Sequence, residues 1–149
     1  MIRILFILAS IFAISGADNI NIDAITAKAE NSHKHVLIFL HRPGCSYCET
    51  MIEFTLPDET IEQKIKNNFI FVDINIGDAG EVVFDGFKGT KREFAKDIGY
   101  DFYPSTVFVG EDKEIVYAVA GYKDEKDFLK ILRFTQSHSY DEMDIDDFK

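Results

Sequence analysis

Two kinds of apolar run alternate along this chain. His35-Val36-Leu37-Ile38-Phe39-Leu40 is continuous and rich in β-branched and aromatic residues, the composition of a strand buried on both faces of a mostly parallel sheet. Phe69-Ile70-Phe71-Val72-Asp73-Ile74 predicts a second strand of the same buried kind. Around them the spacing becomes helical. Ile22, Ile25 and Ala29 predict an amphipathic helix from about Ile22 to Asn31. Arg42-Pro43-Gly44 breaks the first strand, and Cys45 to about Leu56 reads as a helix with Met51, Ile52 and Thr55 on one side. Pro57-Asp58 restarts a helix that carries Ile61 and Ile65 on one face and exposes Lys64 and Lys66.

Beyond Gly77 the signals are turns and caps. Asp85-Gly86 between Glu81-Val82-Val83-Phe84 and Phe87 is a hairpin signal. Thr90-Lys91-Arg92-Glu93 forms a capping box that opens a helix to about Asp97, and Gly99 closes it. Ser105 to Val109 and Ile115 to Ala120 predict an antiparallel pair across Gly110-Glu111-Asp112-Lys113. Asp124 starts a last helix bearing Phe128, Leu129, Ile131 and Leu132. Strands alternating with helices, then a terminal hairpin and helix, predict an α/β sandwich of three layers. The Gly77 to Gly89 stretch is expected to be decoration and not a recognition element.

The two ends read differently from the middle. Met1 to Ala17 has a basic start at Arg3, an apolar run from Ile4 to Ile14 broken by Ser10, and small residues at Ser15 and Ala17. This is the pattern of a cleaved signal peptide. A run of about 11 apolar residues is too short to span a hydrocarbon core that needs ~20. No Cys follows it, so no lipoprotein anchor is indicated. Residues 18–136 are then the folded domain. Residues 137–149 carry Asp141, Glu142, Asp144, Asp146 and Asp147 against Lys149, which predicts a solvated, flexible acidic tail.

Length and charge narrow the function. A chain of 149 residues suits one domain. With 16 basic and 26 acidic residues the net charge is −10, the wrong sign for a nucleic-acid partner. Two cysteines cannot staple a domain of this size, so their spacing must carry the information.

That spacing is Cys45-Ser46-Tyr47-Cys48, where an apolar strand gives way to a helix. Cys45 at the helix N-terminus faces free amides and the positive end of the dipole, which stabilise its thiolate. Cys48 lies one turn along the same face and can attack a mixed disulfide formed by Cys45. The other readings are a permanent structural disulfide and a metal site drawing on His33, His35 and His41. So short a disulfide loop removes little chain entropy, and a second ligand pair at zinc spacing is missing. The redox reading is therefore preferred, with no metal and no cofactor.

With these residues in view the chain resembles the thioredoxin superfamily, and within it the exported thioredoxin-like proteins of the SoxW type. The carriers are Val36 to Leu40 running into Pro43-Gly44-Cys45-Ser46-Tyr47-Cys48, the strand Phe69 to Ile74, Tyr103-Pro104-Ser105 ahead of Thr106 to Val109, and Gly121-Tyr122 before the last helix. The resemblance implies a thioredoxin fold, a three-layer α/β/α sandwich with a mixed central sheet. It implies Cys45 as nucleophile, Cys48 as resolving thiol, and a cis peptide before Pro104 lying beside the dithiol, where the Tyr103 backbone binds substrate. Ser46 and Tyr47 complete the expected substrate-binding set, Tyr47 either as an exposed ring over the dithiol or as a substrate contact.

The departures are specific. Gly44 stands where thioredoxin has Trp, Ser46-Tyr47 where it has Gly-Pro, and Phe39 where it has a buried acid. No general base for Cys48 is identified. Glu49 and His41 are expected to be ordinary surface residues, and Tyr122 and Phe128 core residues. Tyr103 is bulky for its place and implies a narrower or more aromatic groove.

The functional expectation is a monomeric thiol:disulfide oxidoreductase, periplasmic or otherwise exported after cleavage near Ala17. It reduces disulfides on protein substrates and is recharged by a membrane thiol electron donor. An oxidant or isomerase is the second reading, and a non-catalytic binding module on the same fold the third.

Overall fold

The computed structural model describes residues 17–149, so the signal-peptide reading of Met1 to Ala17 falls, but for Ala17, outside the described residues. The element order is β1 (Ile20–Asn21), α1 (Ile22–Asn31), β2 (His35–His41), α2 (Ser46–Thr50), a π-helical turn (Met51–Thr55), α3 (Glu59–Asn68), β3 (Phe69–Asn75), β4 (Glu81–Phe84), β5 (Phe87–Thr90), α4 (Lys91–Asp97), β6 (Ser105–Val109), β7 (Ile115–Ala120) and α5 (Glu125–Gln136), followed by a short 3₁₀ turn at Ser139–Asp141.

The central sheet has the order β3-β2-β6-β7. β2 pairs parallel with β3 and antiparallel with β6, which pairs antiparallel with β7, so the sheet is mixed. The alternation of side chains along β2 separates two cores. Val36, Ile38 and Leu40 face a cluster with Ile22, Ala29, Phe94 and Val107, beneath α1 and α4. Leu37 and Phe39 face Met51, Ile61, Phe108, Phe128 and Leu132, beneath the helices from Cys48 to Asn68 and α5. These are the three layers expected.

The helix ends follow local chemistry. Asn21 Oδ1 accepts the Ala24 N–H at 2.9 Å, and Asp124 Oδ1 accepts that of Asp127 at 2.8 Å. The Thr90 capping box forms in both directions: Glu93 N–H donates to Thr90 Oγ1, and Thr90 N–H to Glu93 Oε2. Each such cap satisfies orphan amides and is worth about 1 kcal/mol.

Three expectations need correction. β3 is not buried on both faces: it is the sheet edge, and Phe71 and Asp73 are exposed along it. The helix after Cys45 does not run regularly to Leu56; the Leu56 N–H reaches back to Met51 O at 2.8 Å, five residues away, which widens the helix into a π turn. The hairpin of β4 and β5 forms as predicted, but it joins a second small sheet in which β4 also pairs parallel with β1, a strand the periodicity did not reveal. After Gln136 the acidic residues stand mostly in solvent. The apolar residues between them fold back: Phe148 packs on Phe134, and Ile145 lies against the α5 core.

Candidate active site

Three loops meet at the C-terminal end of β2. The first leaves β2 at His41 and turns through Gly44, whose φ of +65° lies in the left-handed region with open space where a side chain would be. Glycine is needed here for its backbone alone. The turn delivers Cys45 in extended conformation as the N-cap of α2, and Cys45 Sγ accepts the Cys48 N–H at 3.2 Å. Cys45 and Cys48 form a disulfide with Cα atoms 5.2 Å apart. Ser46 and Tyr47 between them point outward, Tyr47 being 65% exposed, while Cys48 is 1% exposed.

The second loop, Phe102 to Ser105, enters β6. Because Leu40 pairs with Ser105, this loop arrives beside the end of β2. The Tyr103–Pro104 peptide is cis, and the Tyr103 carbonyl oxygen lies 3.8 Å from Cys45 Sγ. The Tyr103 ring turns inward onto the α1/α4 core, where burial, reinforced by Asp101, pushes its phenol up and keeps it neutral. Phe102, not Tyr103, presents its ring to solvent, at 64% exposure.

The third loop follows β7. The Gly121 N–H donates to Pro104 O at 2.7 Å, binding it to the cis-proline turn. From beneath, the buried Thr55 hydroxyl in the π turn donates to Lys123 O at 3.0 Å. Tyr122, expected in the core, is 37% exposed instead, its ring centroid 6.0 Å from that of Tyr47. The reason is the hydrogen-bonded loop, which lifts the residue after Gly121 over the helix end. Phe128 is fully buried as expected.

The six residues singled out from sequence, Cys45, Ser46, Tyr47, Cys48, Tyr103 and Pro104, thus lie at one end of the sheet, Cys45, Cys48 and Pro104 buried and Ser46 and Tyr47 exposed. Phe102 and Tyr122 join it unannounced. Tyr47 and Tyr122 stand exposed side by side at the disulfide, and Phe102, on the loop entering β6 and close to Gly121, is exposed as well.

His41 also departs from expectation. It is not a surface residue: its side chain is 12% exposed, stacks on the Phe39 ring at 5.5 Å, and sets Nε2 2.7 Å from Asp73 Oδ1. Glu49 is exposed, as expected. The Gly77 to Gly89 stretch approaches this end at Gly77: a Cβ there would lie 2.6 Å from Pro43 Cγ, so the absence of a side chain lets the two loops close. Among the described residues no group of three or more His, Cys, Asp or Glu is placed to hold a metal ion, and no helix is long and apolar enough to cross a membrane.

A thioredoxin-like domain profile matches residues 22–136, from the start of α1 to the end of α5. The chain belongs to the thioredoxin-like domain family. Solved structures that resemble it at low identity include the following. A thioredoxin-fold protein from Helicobacter pylori superposes with a TM-score of 0.64 at 21% identity, covering 85% of this chain and 90% of its own. A thioredoxin from Thermus thermophilus gives 0.60 at 22% identity, over 80% and 86%. The C-terminal domain of DsbD from Neisseria meningitidis, in the reduced form, gives 0.56 at 18% identity, over 75% and 91%. No curated protein sequence matches the chain.

Proposed function

We propose that this thioredoxin-like protein is an exported thiol:disulfide oxidoreductase that reduces protein disulfides through Cys45 and Cys48. The observation that carries the reading is the position of Cys45 Sγ. It accepts an amide N–H at a helix start and lies 3.8 Å from the carbonyl of Tyr103, beside the exposed rings of Tyr47 and Tyr122.

In the reduced state the same amide and helix end stabilise a Cys45 thiolate. That thiolate attacks one sulfur of a client disulfide, and the other client sulfur leaves as a thiolate. Cys48 then attacks Cys45, closing the intramolecular disulfide and releasing the second client sulfur. Two electrons pass from the dithiol to the client. A thiol donor at the membrane returns them, which is the SoxW-type role; a sulfur-oxidation carrier protein or a cytochrome c maturation component is then a fitting client. Ser46, Tyr47, Tyr103 and Pro104 hold the client chain, an extended segment pairing with the Tyr103 backbone in the manner of an added strand. Export by the Met1 to Ala17 segment puts the reaction in the periplasm.

The deciding measurement is the Cys45–Cys48 reduction potential against a glutathione or dithiothreitol buffer, together with insulin reduction. A potential near about −270 mV with insulin turnover supports the reductase, whereas one near about −120 mV assigns an oxidant.

A further inference from the structure

We propose that β3 is an interface with a second copy of this chain, the two strands pairing antiparallel about a two-fold axis at Phe71. The central sheet has two edges, and only one of them is guarded. β7 is half-buried from Ile115 to Val119, and its register with β6 is broken between Phe108 and Val109. Ile145 and Met143 of the tail line hollows together with its Tyr117. A break in register and a covering segment are devices that keep an edge from pairing with another chain.

β3 has neither. It runs for seven residues, Phe69–Asn75, without Pro, Gly or Lys, and its register with β2 is unbroken. Asp73 is its one charge, among residues that favour strands. Among the described residues no backbone group outside the sheet bonds to the backbone from Ile70 to Ile74. A strand paired on one side alone presents a row of open N–H and C=O groups on the other, a template for a further strand.

The side chains and charges of β3 fit a copy of itself. Phe69, Phe71 and Asp73 lie on the α3 side, opposite His35, Leu37 and Phe39, and Ile70, Val72 and Ile74 lie on the other. Phe71 is 39% exposed and borders a groove of about 450 Å³ with Leu56 and Ile65, flanked by Glu62 and Lys66. The two ends of the strand differ in charge. Lys66, in the last turn of α3, precedes Phe69, and its carbonyl oxygen accepts a hydrogen bond from the Lys34 ammonium at 3.0 Å. Two cations therefore stand at the start of β3, with Glu62 a turn behind them, while Asp73, 59% exposed, stands toward its end.

Antiparallel pairing sets the start of one strand against the end of the other. Each Asp73 then approaches Lys66 and Lys34 of the second copy, twice by symmetry. A parallel partner would bring like ends together. The net charge of −10 opposes any association of copies, so a charge match at the contact is required. An axis at Phe71 places ring against ring, a favoured cross-strand pair, and Ile70 against Val72 on the other face. An axis at Val72 would instead press Asp73 onto the Phe71 ring. Because β2 runs parallel to β3 and leads into the disulfide, the paired copies carry their Cys45–Cys48 sites at opposite ends of one continuous sheet.

The test is cross-linking in the Cys45→Ser/Cys48→Ser protein, which has no other thiol. Phe71→Cys should form a disulfide between copies on mild oxidation, because directly opposed residues have Cβ atoms about 4.5–5.5 Å apart. Asp73→Cys should not, since its counterpart lies four residues along the pair, about 14 Å away and beyond the ~7 Å between Cα atoms that a disulfide spans. Sedimentation velocity of the purified wild type should show a monomer–dimer equilibrium that moves to dimer with concentration. Phe71→Lys, which sets two ammonium groups face to face, should return it to monomer, and Lys66→Glu should weaken the dimer roughly tenfold through its two symmetric contacts. Equal cross-linking at both positions, or none at Phe71→Cys, overturns the pairing, as does an undiminished dimer in Lys66→Glu. A wild type that stays monomeric at every concentration overturns it too and leaves the edge to an extended strand of another protein. If Phe71→Cys does not fold, the wild type and Lys66→Glu, at an exposed position, decide by sedimentation.

Discussion

Strand β2 begins at His35 and ends at His41, and the two histidines occupy opposite kinds of surroundings. His35 is closed in by the end of the chain. Its Nε2 meets the Tyr140 hydroxyl at 2.9 Å, that hydroxyl meets His138 Nδ1 at 2.8 Å, and the two imidazole centroids are 4.7 Å apart. His41 at the other end turns its Nε2 to the Asp73 carboxylate at 2.7 Å, where β2 runs into the loop that carries the disulfide. One end of the strand satisfies its polar atoms with the protein's own tail. The other ends beside a disulfide and the exposed rings of Tyr47 and Tyr122. The contrast separates an end closed by the chain's own tail from one left open.

The sharpest break in that contrast is at the sulfurs. Cys45→Ser should reduce insulin-disulfide reduction to the uncatalysed background, because the first bond to the client can no longer form. The fold should persist, since a disulfide closing so short a loop adds little stability. Cys48→Ser should instead trap clients as mixed disulfides on Cys45, visible on non-reducing gels. Labelling of the reduced wild type by limited alkylation should fall on Cys45 first; preferential labelling of Cys48 would reverse the assigned roles.

Next in size is Phe39→Ala. Phe39 is fully buried in the α3/α5 core and is the shelf on which the His41 ring rests. Truncation should cost roughly 3–5 kcal/mol in urea unfolding, from lost burial and the cavity left behind. The same change at the exposed rings should leave stability nearly untouched. Tyr122→Ala or Phe102→Ala should raise the KM for a protein disulfide about fivefold, equivalent to about 1 kcal/mol of contact energy. Turnover of 5,5′-dithiobis(2-nitrobenzoate), a small aromatic disulfide, should change less. Equal effects on both substrates would show that these rings do not hold the client.

How much of this was legible in the sequence depended on whether the cause was local. β2 could be read from His35 to Leu40 because every residue there is buried and apolar or nearly so. The Thr90 capping box could be read because its two partners are three residues apart. The Cys45–Cys48 pair could be read because Cys45 and the helix start are adjacent. What escaped is set by contacts far along the chain. β1 is two residues long and exists because β4, some 62 positions later, pairs with it; the Glu81 N–H donates to Asn19 Oδ1 across that gap. Tyr122 reads as an ordinary core aromatic until the Gly121 N–H bond to Pro104 O lifts its loop. β3 has the composition of an inner strand, and only the sheet order makes it an edge. His41 is a polar residue at a strand end, which composition assigns to the surface; the Asp73 neighbour and the Phe39 shelf belong to the tertiary fold.

The smallest effect belongs to the closed end, and it is a pH effect. Burial holds His35 below its ordinary range, the nearby His138 adds to the shift, and Glu111 and Asp141 oppose it. The Tyr140 hydroxyl, pushed up to about 12 by its own burial and the neighbouring Asp141, stays protonated and can donate to one imidazole while accepting from the other. The folded protein therefore keeps His35 neutral, whereas the unfolded chain protonates it near pH 6.5. The unfolded state binds the extra proton, so stability rises with pH in this window. The contribution is complete above about pH 6.5 and is lost as the pH falls through the lowered folded value. Urea midpoints should decline on acidification below that point, and His35→Gln should flatten the decline. Tyr140→Phe should cost about 1 kcal/mol at neutral pH by leaving the buried His35 nitrogen unpaired, with no change in insulin reduction. A loss of activity in Tyr140→Phe that matches its loss of stability would show that the two ends of β2 are coupled, and that only one of them being reactive is the wrong division of the molecule.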